Sequence, residues 1–271
     1  MIPLDQVRSA LFVPGNRPDR FDKAAASGAE LVILDLEDAV PPSAKDAARE
    51  QVQTWVSSGH PAAIRINSSA SEAFAADVQM LERIHPVAVV LPKAEPEGVQ
   101  ALAGASTASV PVIALVESAA GVLQARETCG MRAVVRAALG HLDLAGDVGC
   151  DPRSSVIGTA ADLVALASAA AGLAGPLDGV CTAIDDHDQL RLECELAVRR
   201  GYAGKLVVHP RQVPVVDECF RPTPADLAWA RRVLATSDDG AVFRLDGHMV
   251  DEPVLRRARR IIAASKPRHD P

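Results

Sequence analysis

Between Val7 and Pro210 the chain alternates short apolar runs with helix-patterned stretches eight times, and that rhythm limits the fold more than any other feature. The runs are VRSALFVPG (7–15), ELVILDLED (30–38), PAAIRIN (61–67), VAVVLPK (87–93), VPVIALVES (110–118), AVVRAALGHLD (133–143), PLDGVCTAI (176–184) and GKLVVHP (204–210). They are apolar almost throughout, as parallel strands covered on both faces must be. Helical patterns separate them at 18–27, 43–57, 71–83, 96–103, 119–128, 154–172 and 187–200. Pro18 suits a first turn and Ser43 an N-cap. Eight such units predict a (β/α)8 barrel, a fold of ~250 residues. An open doubly wound sheet competes, but no G-x-G-x-x-G follows the first run. Residues 1–222 read as the barrel and catalytic domain. Residues 223–271 read as a C-terminal extension: a helix (224–236), a loop SDDGAVFRLDGHMVDEP (237–253) and a basic helix (254–265).

Composition removes several classes of function. A net charge of −7 and 3% aromatic residues argue against a nucleic-acid or anionic-membrane partner. No apolar run approaches the ~20 residues needed to span a bilayer. The N-terminal residues MIPLDQVRSALF lack the charged and apolar regions of a signal peptide. The cysteines, at 129, 150, 181, 194 and 219, are odd in number and never spaced as CxxC. They read as free thiols in a reducing cytoplasm.

In such a barrel the chemistry sits at the C-terminal strand ends. Here those ends carry Asp35, Glu37 and Asp38 (second run), Arg65 and Asn67 (third), Lys93 (fourth), Glu117 (fifth), His141 and Asp143 (sixth) and His209 (eighth). A single charged residue after a strand is ordinarily a solvated loop residue. Glu117 directly follows IALV, however, where an unpaired carboxylate is costly, and Arg65 lies between two isoleucines. Carboxylates without a Cys/His cluster suit a hard cation, and Mg2+ is held by one or two carboxylates plus water and substrate oxygens. Glu117 and Asp143 are the candidate ligands. Arg65 offers a fork for a substrate carboxylate, so the constellation suits carbon–carbon chemistry beside a carbonyl. Asp35 reads as a buried partner for some neighbouring cation. His141, His209 and His248 read as structural or surface residues, and RRARR (256–260) as a solvated helix face, with carrier phosphates as its alternative partner. A Schiff-base role for Lys93 is disfavoured by the metal-type constellation.

Eight segments carry a family resemblance: SALFVPGNRPDRFDKA (9–24), LVILDLEDAV (31–40), AIRIN (63–67), VVLPKAE (89–95), ALVESAAG (114–121), ALGHLDLAGDVG (138–149), GKLVVHPRQV (204–213) and DGHMVDEPVL (246–255). The chain resembles the citrate lyase β-subunit-like proteins of the HpcH/HpaI aldolase and malyl-CoA/citramalyl-CoA lyase superfamily. The resemblance implies a Mg2+-dependent (β/α)8 barrel, assembled as a homotrimer or hexamer, that cleaves or condenses 3-hydroxyacyl-CoA thioesters such as malyl-, citramalyl- or 3-hydroxy-3-methylglutaryl-CoA. It makes Glu117 and Asp143 the metal ligands, with Glu117 also at the substrate. Arg65 binds the keto-acid carboxylate, and Glu37 and Asp38 hold metal-bound water. Arg20 and Lys23 contact the thioester carrier. Asp251 becomes an acid/base that a C-terminal lid lends to a neighbouring subunit. Two positions depart from the family pattern: Leu142 where a Glu often precedes the metal Asp, and Ala120 where an Arg often follows the metal Glu. Three alternatives remain: a citrate lyase subunit acting on an acyl-carrier-protein thioester, an aldolase for free 2-oxo acids, and a non-catalytic CoA-binding protein.

Overall fold

The structure, a computed structural model, describes residues 3–105, 110–236 and 243–265. Eight strands close a parallel barrel in sequential order: β1 (Ser9–Pro14), β2 (Leu31–Asp35), β3 (Ala63–Arg65), β4 (Ala88–Leu91), β5 (Val112–Val116), β6 (Val134–Leu139), β7 (Leu177–Asp178) and β8 (Gly204–Val207). Pairing of β1 with β8, from Ser9↔Lys205 to Leu11↔Val207, closes the ring. Alternate residues fill the interior, among them Ala10, Ile33, Ala63, Val90, Leu115, Ala138 and Leu206. Their neighbours pack outward against the helices, as the period of two requires.

The floor of the barrel has its own polar lock. Arg136 is fully buried and donates to the carbonyl oxygens of Leu4, Val7 and Gly175. All three carbonyls precede strands, so the guanidinium caps the N-terminal end. Burial pulls its pKa down to about 10, against the opposing pull of the Asp5 charge. Chemistry is left to the opposite mouth.

The helices are α1 (Phe21–Ala25), α2 (Lys45–Ser57), α3 (Phe74–Leu81), α4 (Pro96–Ala105), α5 (Ala119–Gly130), α6 (His141–Val148), α7 (Ser155–Ala170), α8 (His187–Arg199) and α9 (Val213–Cys219). Three local expectations are corrected. Ser43 is not an N-cap: it lies in a 3-10 turn, Pro42–Ala44, and α2 begins at Lys45 with no side-chain cap. The sixth run does not continue as a strand to Asp143. It stops at Leu139, turns at Gly140, and its polar tail opens α6, which buries Leu144 and Ala145 and ends on left-handed Gly149. The seventh run pairs only at Leu177–Asp178, because glycines on either side admit close neighbours: Gly175 lies against the Gly201 carbonyl and Gly179 against the His141 ring.

The chain divides into two compact units, Met1–Asp217 and Glu218–Pro271. In the second, α10 (Pro224–Thr236) and α11 (Glu252–Ala264) share a small core of Ala230, Val233, Val250, Leu255 and Ala258. The stretch read as a loop holds a hairpin, β9 (Phe243–Leu245) with β10 (His248–Val250), and its residues 237–242 lie outside the described residues. The turn is Asp246-Gly247, both with positive φ, the Asp-Gly pairing that tight hairpins favour. The arginines of RRARR are exposed around buried Ala258. Arg259 pairs with Glu252, and Arg257 stacks over Trp229 at 4.9 Å.

Candidate active site

The register of β2 against β3 sets Asp35 beside Arg65. The pair is bidentate: Nε donates to Oδ1 at 2.7 Å and Nη2 to Oδ2 at 2.6 Å. Asp35 also receives the amides of Glu37 and Ala39. The guanidinium lies over the Phe12 ring, 4.8 Å from its centre. Asp35 therefore fixes Arg65 and occupies its fork. Nη1 is the edge turned to the mouth, 3.0 Å from Glu37 Oε2 and 3.7 Å from Asp38 Oδ2. Asp38 is exposed, whereas Glu37 is buried.

Glu37 and Glu117 are the two strained charges here. Glu37 Oε2 is buried, and its 3.0 Å contact with Arg65 Nη1 is an ion pair without hydrogen-bond alignment. Burial, with smaller contributions from the charges of Asp38 and Asp35, pushes its pKa up to about 7 against the pull of Arg65 and Lys93. Glu117, just past β5, is 3% exposed. Burial and then the charges of Glu37 and Asp143 raise its pKa to about 8. Its Oε1 accepts the Lys93 backbone N–H at 2.9 Å. On its other side lies Gly140, where a Cβ would stand 2.5 Å from both Cβ and Oε2 of Glu117. That glycine lets the start of α6 approach the carboxylate, and Asp143 follows in the first turn, exposed. The amide of Ala119, opening α5, donates to Asp147 of the same α6 at 2.7 Å, which ties the two helices together.

These donors fit a hard divalent cation. A buried carboxylate ion-paired with Arg65, a second buried carboxylate and an accessible third are an oxygen-only set. Among the described residues no group of three or more His, Cys, Asp or Glu converges closely enough to hold a metal ion by itself. Its chemistry suits a cation held by few protein ligands and by water; Glu117 and Asp143 would be its direct holders, with Glu37 behind them.

The raised carboxyls give a pH dependence with a definite sign. Between about pH 4.5 and pH 7 folded Glu37 keeps a proton that the unfolded chain has lost, so its contribution to metal-free stability falls as pH rises through that window. Glu37→Gln removes the effect. In EDTA, urea denaturation of the variant and the wild type should agree near pH 5. Near pH 8.5 the variant should be more stable by on the order of 1–3 kcal/mol. Parallel pH profiles would count against a strained Glu37.

Beyond Asn67, which the sequence places at a strand end, a second set of residues around the site was not singled out in the sequence. Lys45 Nζ donates to the carbonyl oxygens of Leu36 (2.8 Å) and Glu37 (3.0 Å) and to Asn67 Oδ1 (2.6 Å). Asn67 Nδ2 donates to Leu36 O and to Asp77 Oδ2, and Asp77 Oδ1 accepts from Arg49. This lattice of α2, α3 and the turn after β3 pins the backbone that carries Glu37. The one available signal was Asp77, a charged residue on the buried side of the 71–83 helix.

Arg20 ends a 3-10 turn and Lys23 lies in α1, both exposed on the connection after β1. Asp251, in the second unit, is the N-cap of α11, its Oδ1 accepting the Val254 amide at 3.2 Å. His209 caps the 3-10 turn Pro210–Gln212 by accepting the Arg211 amide. His248 is exposed on β10. Burial lowers the His141 pKa. Among the described residues no disulfide links the cysteines, and no helix is long and apolar enough to cross a membrane.

Comparison with known proteins accords with this geometry. Residues 8–210 match the family described as HpcH/HpaI aldolase/citrate lyase, and residues 156–267 match a C–C bond lyase of the TIM-barrel fold. A citrate lyase subunit beta-like protein of Deinococcus radiodurans is 36% identical over 279 residues, covering 95% of this chain and 96% of the relative. A (3S)-malyl-CoA thioesterase of Cereibacter sphaeroides is 30% identical, covering 96% and 94%. Among solved structures, CitE from Mycobacterium tuberculosis in complex with magnesium, acetoacetate and coenzyme A superposes with a TM-score of 0.84 at 35% identity, over 97% of this chain and 99% of that one. The chain belongs to the HpcH/HpaI aldolase/citrate lyase family, carbon–carbon lyases built on the closed (β/α)8 barrel seen here.

Proposed function

We propose that the protein is a Mg2+-dependent lyase for 3-hydroxyacyl-CoA thioesters, interconverting them with acetyl-CoA and a keto acid. The observation that carries this reading is the pair of buried carboxylates, Glu37 and Glu117, raised in pKa by burial and facing Asp143 and Arg65 at the barrel mouth. Mg2+, when bound, supplies positive charge for the oxygens that gain negative charge during cleavage. Glu117 and Asp143 would hold it, with Glu37 and Asp38 placed to accept hydrogen bonds from its water. Arg65, fixed by Asp35, offers Nη1 to the acid carboxylate. Arg20 and Lys23 supply positive charge for the carrier's phosphates. In cleavage a base takes the hydroxyl proton, the C–C bond breaks to give the keto acid, and its electron pair passes into a thioester enolate. Asp251, lent by a neighbouring subunit of a homotrimer or hexamer, protonates the enolate carbon to give acetyl-CoA. Closing the mouth over these groups excludes water.

The test is a panel of malyl-, citramalyl- and 3-hydroxy-3-methylglutaryl-CoA, each with Mg2+ and with EDTA. At least one should yield acetyl-CoA and a keto acid in Mg2+ alone. Turnover only of acyl-carrier-protein thioesters would replace this reading with that of a citrate lyase β subunit. Release of free CoA and a hydroxy acid would indicate thioester hydrolysis instead.

A further inference from the structure

The bend between β4 and α4 holds an uncommon backbone conformation. Among the described residues two non-glycine residues have positive φ. Asp246 (49°) belongs to the hairpin turn; the other is Lys93 (47°). A left-handed residue with a Cβ costs ~1–2 kcal/mol, and glycine would avoid that cost.

Two hydrogen bonds account for the conformation. Successive amides along a strand point to opposite sides. Here the Lys93 and Ala94 amides both turn toward β5: Ala94 donates to the Leu115 carbonyl at 3.0 Å, and Lys93 donates to Glu117 Oε1 at 2.9 Å. A left-handed residue makes consecutive N–H groups converge, the arrangement that forms anion-holding concavities. Without it, one of these two amides would leave β5. The Lys93 ammonium also lies 3.7 Å from Glu37 Oε1, so one residue touches both buried carboxylates with different atoms.

We propose that Lys93 is a positioning residue whose left-handed backbone, rather than its ammonium, holds Glu117 facing the cation. The inference rests on the reading of Glu117 as a metal ligand. It separates from that reading through a series of substitutions that all lack the ammonium. Lys93→Gly and Lys93→Ala tolerate the conformation, whereas Lys93→Val opposes it, since β-branched residues are outliers at positive φ.

Calorimetric titration of metal-free protein with Mg2+ reads the result. Lys93→Gly should bind at least as tightly as Lys93→Ala, and Lys93→Val at least about tenfold more weakly than Lys93→Gly. A merely structural role would lower the metal-free melting temperature of Lys93→Val yet leave its Mg2+ affinity equal to that of Lys93→Gly. Equal affinity across the series overturns the inference alone. Absence of Mg2+ binding by the wild type overturns the metal-site reading and the inference with it. If Lys93→Val does not fold, Lys93→Thr against Lys93→Asn gives the same contrast, because asparagine is at home in the left-handed region and threonine is not.

Discussion

Glu117→Gln should abolish Mg2+ binding, reduce turnover at least about 1,000-fold, and make the metal-free protein more stable. The three effects have one cause. The Glu117 carboxylate is buried, lies near two other carboxylates and is protonated more readily than an ordinary glutamate, at about pH 8. In the folded metal-free protein its charge is therefore a burden. With Mg2+ present the same charge is a binding contribution that a neutral amide cannot replace. The amide keeps an oxygen for the Lys93 N–H and a similar volume beside Gly140, so the fold loses little. Titration calorimetry checks the first effect, steady-state kinetics the second, and urea denaturation in EDTA above pH 8 the third. A variant less stable than wild type under that last condition would contradict the burial argument, whatever its activity.

Asp251→Asn should cut turnover by at least about 100-fold while leaving both Mg2+ affinity and the melting temperature near wild type. The substitution is clean because Asp251 caps α11, and asparagine caps a helix as well as aspartate does. Alanine would confound the result, since losing a cap costs ~1 kcal/mol on its own. Near-normal turnover in the asparagine variant would remove Asp251 from the mechanism. A mixing experiment examines the shared site. If the second unit serves a neighbouring subunit, inactive Asp251→Asn and Glu117→Gln proteins dissociated and reassembled at equal ratio should regain about a quarter of wild-type activity, the chance that an intact mouth meets an intact lid around a symmetric ring. No recovery after verified subunit exchange would confine Asp251 to its own chain.

Much of this was legible in the residues, and what was not has physical reasons. Unbroken apolar runs show strands covered on both faces, so the barrel could be read from periodicity. Glu117 was conspicuous because a carboxylate directly after IALV needs a partner. The partner of Asp35 was out of reach, because the Asp35↔Arg65 register is a property of the closed sheet. Lys45 and Asn67 meet across 22 residues of chain and have no local pattern. The start of α6 was misread because Gly140 separates two apolar stretches whose join resembles one long strand. The hairpin at Asp246-Gly247 did carry its turn signal, and its three-residue strands were too short to register as alternation.

The Arg136 lock at the barrel floor also bears on how the protein assembles. Its acceptors lie 132 and 129 residues earlier in the chain, at Leu4 and Val7, and 39 residues later, at Gly175. During synthesis the arginine emerges when its early acceptors are already present and its late one is not. The guanidinium cannot settle into the dry floor until the seventh strand arrives, so the ring gains its last polar contacts late. That is a high-contact-order closure, a topology that slows folding and lengthens the life of partly open states. One buried arginine thus joins the start of the chain to the entry of the seventh strand, at the end of the barrel opposite the strand-end carboxylates.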